Sequence, residues 1–172
     1  MSYLIVICGG TGEGKTTYAR ELIKGNKHYA VDYGNDFEGF DRFTDVHEMD
    51  KFLEKFEPKK EKIKESIVII DEATICFNNH RYSDELNAIL VRKRHSKNTY
   101  VLLFHSLRQI PQFIKDFIDY VVLFKTNDNY TIVKNFPKSD ELAAAILKLK
   151  AYESNNGKNT SKHYEPITIS LK

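Results

Sequence analysis

The chain has 172 residues, a length that fits one domain with a single core. Hydrophobic residues make up 41% and aromatic residues 12% of the sequence, which excludes a chain that is disordered throughout. No apolar run approaches the roughly 20 residues that span a bilayer, and the N-terminus lacks the basic segment of a signal peptide. The sequence therefore predicts a cytoplasmic domain whose two cysteines, Cys8 and Cys76, are reduced and buried.

The net charge of +2 is too small to indicate a polyanionic partner by itself, but the charge is unevenly distributed. Residues 32–61 contain ten acidic and five basic residues, whereas residues 80–115 contain seven basic and two acidic residues. The middle of the chain is therefore locally basic.

Short apolar segments alternate with segments of helical period, which is typical of a parallel sheet built from βαβ units. The predicted fold class is α/β, a mostly parallel twisted sheet with helices on both faces. A hairpin turn at residues 127–129 is predicted before the last strand, which alternates apolar and polar residues like an edge strand. Six strands are predicted, at Tyr3–Cys8, His28–Asp32, Ser66–Asp71, Thr99–His105, Tyr120–Lys125 and Tyr130–Asn135.

Five helices are predicted between and after these strands. The first runs from Lys15 to Lys24 and ends at Gly25, because the residue just past a helix end is often left-handed and glycine adopts that conformation easily. The apolar spacing predicts the other four, which begin near Thr44, Ser83, Pro111 and Ser139.

A change in composition predicts the domain boundary. We predict one domain at residues 1–153 and a polar tail at residues 154–172 that is mobile or docks on a partner. The end of this tail, residues 166–171, either forms a short strand or docks elsewhere.

The strongest chemical signal is the segment GGTGEGKT at residues 9–16, which satisfies G-x-x-x-x-G-K-[ST] between a buried strand and a helix. Its glycines allow backbone N–H groups to turn toward phosphate, aided by the positive end of the helix. Lys15 would reach the β- and γ-phosphates and Thr16 would bind Mg²⁺. The predicted cofactors are ATP and Mg²⁺, and the predicted nucleotide-binding residues are Gly10, Thr11, Gly12, Glu13, Gly14, Lys15, Thr16 and Thr17.

A second motif ends the third predicted strand with two carboxylates, Asp71 and Glu72, in the pattern called Walker B. In this interpretation Asp71 holds Mg²⁺ through water, and Glu72 polarises the water that attacks the γ-phosphate. A glutamate in this position argues against a nucleotide kinase, because a kinase must exclude an activated water.

Together with three later segments, these two motifs resemble the FtsK–HerA superfamily of P-loop ATPases, especially its small viral genome-packaging and Zot-like members. The resemblance spans about residues 3–125. The later segments look like the family's second strand with its acidic-aromatic loop, the basic end of the helix after Walker B, and the fourth strand with its polar sensor, at residues 30–37, 91–95 and 99–111.

The resemblance implies a RecA-like core in which the Ser106 strand lies between the loop strand and the Walker B strand. It implies a sensor of the γ-phosphate at Ser106 or His105, with Gln109 as the alternative. Family members assemble rings, commonly hexamers, in which a neighbouring subunit supplies an arginine. Arg92 and Arg94 are the preferred candidates for that arginine, with Arg81 and Arg108 as alternatives.

The function predicted from these residues is an ATP-hydrolysing motor that translocates or packages double-stranded DNA. The basic stretch would neutralise DNA phosphates without reading sequence. The small size favours a viral or mobile-element protein, in the host cytoplasm if viral, with a capsid or membrane protein as a further partner. Two alternatives stay open: a Zot-type switch or assembly factor without DNA translocation, and a small nucleotide kinase.

Overall fold

The computed structural model describes residues 2–32, 36–37, 42–43, 63–78, 86, 88, 90–156 and 165–172. Within these ranges seven strands form one sheet in the order β3-β2-β4-β5-β1-β6-β7. The strands are β1 Leu4–Cys8, β2 His28–Val31, β3 Arg42–Phe43, β4 Ile67–Ile70, β5 Thr99–Phe104, β6 Tyr120–Leu123 and β7 Ile167–Ser170.

Six helices of the described residues connect the strands. A 3₁₀ turn at Leu107–Gln109 follows β5, and residues 86, 88, 90 and 91 are also helical. The helices are α1 Lys15–Ile23, α2 Ala73–Asn78, α3 Lys93–Ser96, α4 Gln112–Lys115, α5 Tyr130–Val133 and α6 Ser139–Asn156.

The central strands are parallel and buried on both faces, as the predicted fold class requires. β1 pairs with β5 and β6, and β5 also pairs with β4, all in parallel. One face packs Ile7 and Ile69 against Ala19 of α1, while the other packs Val6 into a cluster that includes Leu142 of α6. Helices therefore cover both faces, and the α/β prediction is confirmed.

The first helix agrees with its sequence signals. It begins at Lys15 and ends at Ile23, and Gly25 just beyond it has a left-handed φ of 79°. The predicted helix after Thr44 and the predicted cap Ser83 lie outside the described residues, although Leu86 and Leu90 are helical and buried. The short helix α2 was not predicted.

The predicted edge strand Tyr130–Asn135 is wrong, because Tyr130–Val133 form helix α5. The sheet edge beside β6 is occupied instead by β7, which pairs with it antiparallel from Leu123↔Ile167 to Tyr120↔Ser170. Long-range pairing with the C-terminus therefore decides this edge, which the local alternation of apolar and polar residues does not reveal.

The short strand that was one alternative for residues 166–171 is confirmed, but the structure differs from a mobile or partner-docking tail in two respects. Helix α6 continues to Asn156, and residues 165–172 pack on the domain itself, since Ile169 and Leu171 are buried. The N–H of Leu171 donates to the carbonyl oxygen of Asp119 at 2.9 Å. This C-terminal segment is thus the last strand of the sheet and not a mobile extension.

Candidate functional site

The candidate site lies where the loop after β1 meets the carboxyl ends of β4 and β5. Gly12 and Gly14 both have left-handed backbones, with φ of 78° and 93°, and Gly14 is the N-cap residue of α1. Residues other than glycine adopt this conformation at a cost. The glycine spacing in the sequence therefore matches two backbone positions that need it.

Gly9 anchors the loop by a close contact with the sheet. A Cβ atom at Gly9 would lie 2.4 Å from Cβ of Phe124, a distance at which atoms clash. The N–H of Gly9 donates to the carbonyl oxygen of Phe104 at 3.2 Å, and that of Gly10 donates to the carbonyl oxygen of Lys125 at 2.8 Å. The loop is thus fixed to the ends of β5 and β6.

Lys15, the first residue of α1, is folded back over this loop. Its Nζ donates to the carbonyl oxygen of Gly10 at 2.9 Å and lies 3.5 Å from Nδ1 of His105. Burial lowers the pKa of Lys15, and the nearby Cys8, Glu72 and Asp71 oppose that shift. No described carboxylate forms an ion pair with this ammonium group, so its charge is available to an anion.

Glu72 is held next to the loop by His105. Both carboxylate oxygens of Glu72 lie 2.8 Å from Nε2 of His105, and Glu72 itself has a left-handed φ of 49°. An imidazole with its hydrogen on Nε2 donates to Glu72 and leaves Nδ1 to accept from Lys15. The three side chains therefore form a continuous chain of contacts, Lys15–His105–Glu72.

Asp71 directly follows β4 and is buried beside Glu72. Its Oδ1 accepts the N–H of Glu72 at 2.9 Å. Burial, together with the charges of Glu72, Asp32 and Asp36, raises the pKa of Asp71 to about 6, although the N–H bond acts in the opposite direction. A divalent cation would relieve this penalty, and carboxylate and hydroxyl oxygens are ligands that Mg²⁺ accepts. Asp71 and the half-buried Thr16 therefore fit a metal.

Asp32 and Asp36, for which the sequence motifs predicted no role at the metal, extend this acidic region. Carboxylate oxygens of Asp32, Asp36 and Asp71 lie within 4.8 Å of one another. The pairing of Val31 with Ile70 explains why Asp32 is next to Asp71, since each aspartate directly follows its strand. An acid at the end of the predicted strand His28–Asp32 was a usable signal for Asp32, whereas the sequence contained no comparable signal for Asp36.

The three sensor candidates occupy different positions. Ser106 Oγ donates to Oδ1 of Asp128 at 2.6 Å and accepts the N–H of Arg108 at 3.1 Å. Gln109 Oε1 accepts the N–H groups of His105 and Ser106 at 3.0 and 3.2 Å. Ser106 and Gln109 therefore shape the turn after β5, and of the three only His105 contacts Lys15 and Glu72.

Asp128 is not among the residues predicted from the sequence. It is buried and accepts hydrogen bonds from Ser106, from the N–H of Leu107 at 2.7 Å and from Oγ1 of Thr126 at 2.7 Å. Nζ of Lys150 donates to the carbonyl oxygen of Asp128 at 2.6 Å, which links the turn to α6. This network stabilises the backbone of the turn that directly follows His105.

The remaining predicted nucleotide-binding residues lie along the loop and the start of α1. Glu13 is half-buried between the two left-handed glycines, while Thr11 and Thr17 are exposed. Thr16 and Thr17 follow Lys15 in the first turn of α1. The structure therefore places residues 10–17 on one continuous loop-to-helix segment.

The candidate arginines lie away from this loop. Arg92 and Arg94 are exposed at the start of α3, which leads into the amino end of β5, whereas the glycine loop lies at the carboxyl ends of the strands. Arg108 is exposed on the 3₁₀ turn, and Arg81 lies outside the described residues. The fold thus does not bring Arg92 or Arg94 to the loop of their own chain.

In the part of the chain that the structure describes, none of the helices is sufficiently long and apolar to cross a bilayer.

Solved structures with the same fold share low sequence identity with the chain. The DNA-packaging ATPase B204 from Sulfolobus turreted icosahedral virus is 19% identical, with a TM-score of 0.69 over 88% of this chain and 91% of that chain. The genome-packaging NTPase B204 from Sulfolobus turreted icosahedral virus 2, in complex with AMPPCP, is 15% identical with a TM-score of 0.73 over 99% and 93%.

A third structure comes from the zonular occludens toxin group. The N-terminal domain of zonular occludens toxin from Neisseria meningitidis is 20% identical, with a TM-score of 0.58 over 74% of this chain and 78% of that chain. No curated protein sequence matches the chain. The family model described as zonular occludens toxin (Zot) matches residues 36–163, most of the chain. The predicted resemblance to Zot-like proteins and viral packaging ATPases is confirmed: the chain has a P-loop ATPase fold and belongs to the Zot family.

Proposed function

We propose that the chain is a Mg²⁺-dependent ATPase that moves or packages DNA as part of a viral or mobile-element assembly. The observation that carries the proposal is the set of contacts Lys15–His105–Glu72, formed at a glycine loop and beside a buried Asp71. The fold it shares with packaging NTPases that bind nucleotide analogues supports the same function.

In this proposal the backbone of residues 10–17 binds the phosphates of ATP. The ammonium of Lys15 leaves the carbonyl oxygen of Gly10 and neutralises the β- and γ-phosphates, for which it has no competing ion pair among the described residues. Thr16 and Asp71 would hold Mg²⁺, which supplies charge neutralisation at the phosphate oxygens. The buried position of Lys15 strengthens its interaction with phosphate, because the local dielectric is low.

Glu72 is the general base of the proposed hydrolysis. A water oxygen attacks the γ-phosphorus, the bond from that phosphorus to the β,γ-bridging oxygen breaks, and Glu72 takes the proton of the water. His105 holds the Glu72 carboxylate and contacts Lys15, so a γ-phosphate that binds Lys15 also alters the contacts of His105. We therefore assign the sensor role to His105, since the hydroxyl of Ser106 is engaged by Asp128.

The proposal also includes an oligomer. Arg92 and Arg94 are exposed and distant from the glycine loop of their own chain, so they would act on the nucleotide of a neighbouring subunit, in a ring that we propose to be hexameric. Exposed bases of the stretch 80–115, such as Lys97 and Arg108, would contact double-stranded DNA through its phosphates, whereas Lys93 and Lys115 are buried. A capsid or membrane protein would be a further partner, and the host cytoplasm the place of action.

The testing experiment measures phosphate release from ATP with and without double-stranded DNA. Glu72→Gln is expected to lower the rate about 10²- to 10⁴-fold, because it removes a general base while keeping the side-chain size. Lys15→Ala is expected to abolish hydrolysis as well. Glu21→Gln and Lys24→Ala, exposed on and just after α1, are the matched controls and are expected to keep the wild-type rate.

DNA-stimulated hydrolysis that both site variants lose would support the motor. An ATPase rate that survives in Glu72→Gln would contradict the proposal for Glu72, and a phosphorylated small-molecule product would identify a kinase instead.

The second candidate function is a nucleotide-controlled assembly factor that does not move DNA. The match of the Zot family model over residues 36–163 favours it. Hydrolysis that is indifferent to DNA, together with a nucleotide-dependent complex with another protein, would support this candidate over the motor.

A further inference from the structure

The acidic region at the ends of β2 and β4 contains more negative charge than nearby cations neutralise. Carboxylate oxygens of Asp32, Asp36 and Asp71 lie within 4.8 Å of one another, and two of these residues are buried. Like charges at such separations repel strongly, the more so where water is excluded. A folded chain tolerates this arrangement when a cation or bound protons compensate for it.

Asp32 independently indicates that a ligand binds at this cluster. Its side chain is completely buried, and Oδ2 accepts the N–H of Phe37 at 2.7 Å. Its other oxygen, Oδ1, is buried and has no hydrogen-bond partner among the described residues. A buried carboxylate oxygen without a partner is costly, so its presence beside two further carboxylates indicates a group that binds all three.

The cation nearest to this cluster leaves ligand positions free. Nη2 of Arg20 lies 3.3 Å from Oδ1 of Asp36, and Nε of Arg20 donates to the carbonyl oxygen of Asp36 at 2.6 Å. Oδ2 of Asp36 is not used in this pair. Both side chains of the pair are about half exposed, at 49% and 50%, so the pair is screened by water. The ammonium of Lys15 is also near Asp71 but forms no ion pair with it, so these two cations leave the three carboxylates and Glu72 with excess negative charge.

The cluster also lies beside the helix that begins at the glycine loop. Arg20 follows Thr16 by one helical turn, so both lie on the same face of α1. Arg20 contacts Asp36, and Asp36 is next to Asp71. A cation held by the three aspartates would therefore be close to the face of α1 from which Thr16 projects.

We propose that Asp32, Asp36 and Asp71 form a divalent-cation site that binds Mg²⁺ or Mn²⁺ before any nucleotide is present. Three carboxylates form a hard oxygen donor set, which suits these ions better than zinc or copper. The inference extends the Mg²⁺ site of the proposed function, on which it rests for the role of Asp71. It adds two ligands and a loading order, in which the metal precedes the nucleotide.

The test measures Mn²⁺ binding to the full chain without nucleotide. Binding is monitored by the loss of the free-Mn²⁺ signal in electron paramagnetic resonance. The wild type is expected to bind one Mn²⁺, which Mg²⁺ displaces. Asp32→Asn is expected to weaken binding about 10- to 100-fold. The asparagine still offers a carbonyl oxygen to the N–H of Phe37, so the local turn is preserved.

Asp36→Asn provides a second variant on an exposed residue, where a failure to fold is not expected, and the same loss of affinity is predicted. Asp116→Asn, exposed after α4, is the matched control and is expected to bind Mn²⁺ like the wild type. Wild-type affinity in both cluster variants, or no Mn²⁺ binding until ATP is added, would overturn the inference.

The same samples separate this inference from the proposed function. Lys15→Ala is expected to keep Mn²⁺ binding and lose ATP hydrolysis. A wild-type chain that binds Mn²⁺ but hydrolyses no ATP would leave the cation site standing and refute the ATPase. A chain that hydrolyses ATP but binds Mn²⁺ only with nucleotide would refute the cation site alone.

Discussion

Buried carboxylates have opposite surroundings at the two ends of the central sheet. At the amino end, Asp119 precedes β6 and contacts the ammonium groups of both Lys93 and Lys172. At the carboxyl end, Asp71 and Asp32 are equally buried but face other carboxylates. The charge of Asp119 is balanced by two ammonium groups of the chain, whereas among the described residues no cation forms an ion pair with Asp32 or Asp71.

The pKa shifts follow this difference. Burial alone would raise the pKa of Asp119, but hydrogen bonds from Lys172, Lys93 and the N–H of Leu4 outweigh it and hold the pKa below its ordinary value. The pKa of Asp71 is raised, since burial and neighbouring carboxylates act in the same direction. A buried carboxylate with internal partners supports the fold, whereas one without them indicates a site for a ligand.

The largest effect is expected from removing the charge of Asp119 at the amino end of the sheet. Asp119→Asn leaves Lys93 buried without its counter-ion, and we expect the free energy of unfolding to fall by about 3–5 kcal/mol. Urea unfolding monitored by circular dichroism would measure the loss, with Asp116→Asn as the control. The double variant with Lys93→Met should recover part of the loss, and no recovery would argue against the ion pair as its cause.

The next effect concerns catalysis. His105→Ala frees the Glu72 carboxylate, and we expect kcat for ATP hydrolysis to fall about 10²-fold while KM changes little, because misplacing a catalytic group costs rate more than binding. His105→Gln keeps a side-chain donor and should retain more activity. His95→Ala, exposed on α3, is the control. A rise in KM of about 10²-fold with unchanged kcat would contradict the positioning role of His105.

At the carboxyl end of the sheet, neutralising Asp71 should increase the free energy of unfolding. The folded chain holds the Asp71 proton up to a pH of about 6, whereas the unfolded chain releases it near the ordinary value of 3.8. The ionised carboxylate therefore lowers stability progressively as the pH rises from about 4 to 6. Without metal, Asp71→Asn should be more stable than wild type by about 1–3 kcal/mol at pH 7, and about equal near pH 4.

Urea unfolding at several pH values, in the presence of a chelator, measures this difference. A stability gain that does not depend on pH would show that the charge of Asp71 is not its cause. Adding Mg²⁺ should narrow the difference at pH 7, since the metal stabilises only the wild-type carboxylate.

The smallest effect is expected at Ser106. Ser106→Ala removes the cap of the 3₁₀ turn and one donor to Asp128, so we expect a loss of about 1 kcal/mol in the free energy of unfolding. The hydrolysis rate of Ser106→Ala should fall less than that of His105→Ala. The reverse order of the two rates would restore Ser106 as the sensor.

Much of the fold followed from local signals. Continuous apolar runs predicted β1, β4, β5 and β6, because a strand buried on both faces needs no polar residues. The edge of the sheet was mispredicted at residues 130–135, where alternation looks the same in an amphipathic strand and in a short helix. The strand that pairs with β6 at this edge is β7, which lies more than 30 residues farther along the chain.

The candidate site divides in the same way. The glycine loop, Lys15, Asp71 and Glu72 are adjacent in sequence to the elements that present them, so their spacing alone made them candidates. Our proposal of His105 rather than Ser106 as the sensor rests on their side-chain partners, Glu72 and Asp128, which lie far apart in the sequence. Neighbouring residues at a strand end point in different directions, and only the packed neighbours decide which one faces the site.

The sequence by itself determined the α/β class, the glycine loop and the two carboxylates after β4, because each depends on residues close together in the chain. The tertiary structure decided that the C-terminus completes the sheet, that His105 links Lys15 to Glu72, and that Asp32 and Asp36 join Asp71. These three features depend on strand order and register, which bring distant residues within a few ångströms and which no local pattern encodes.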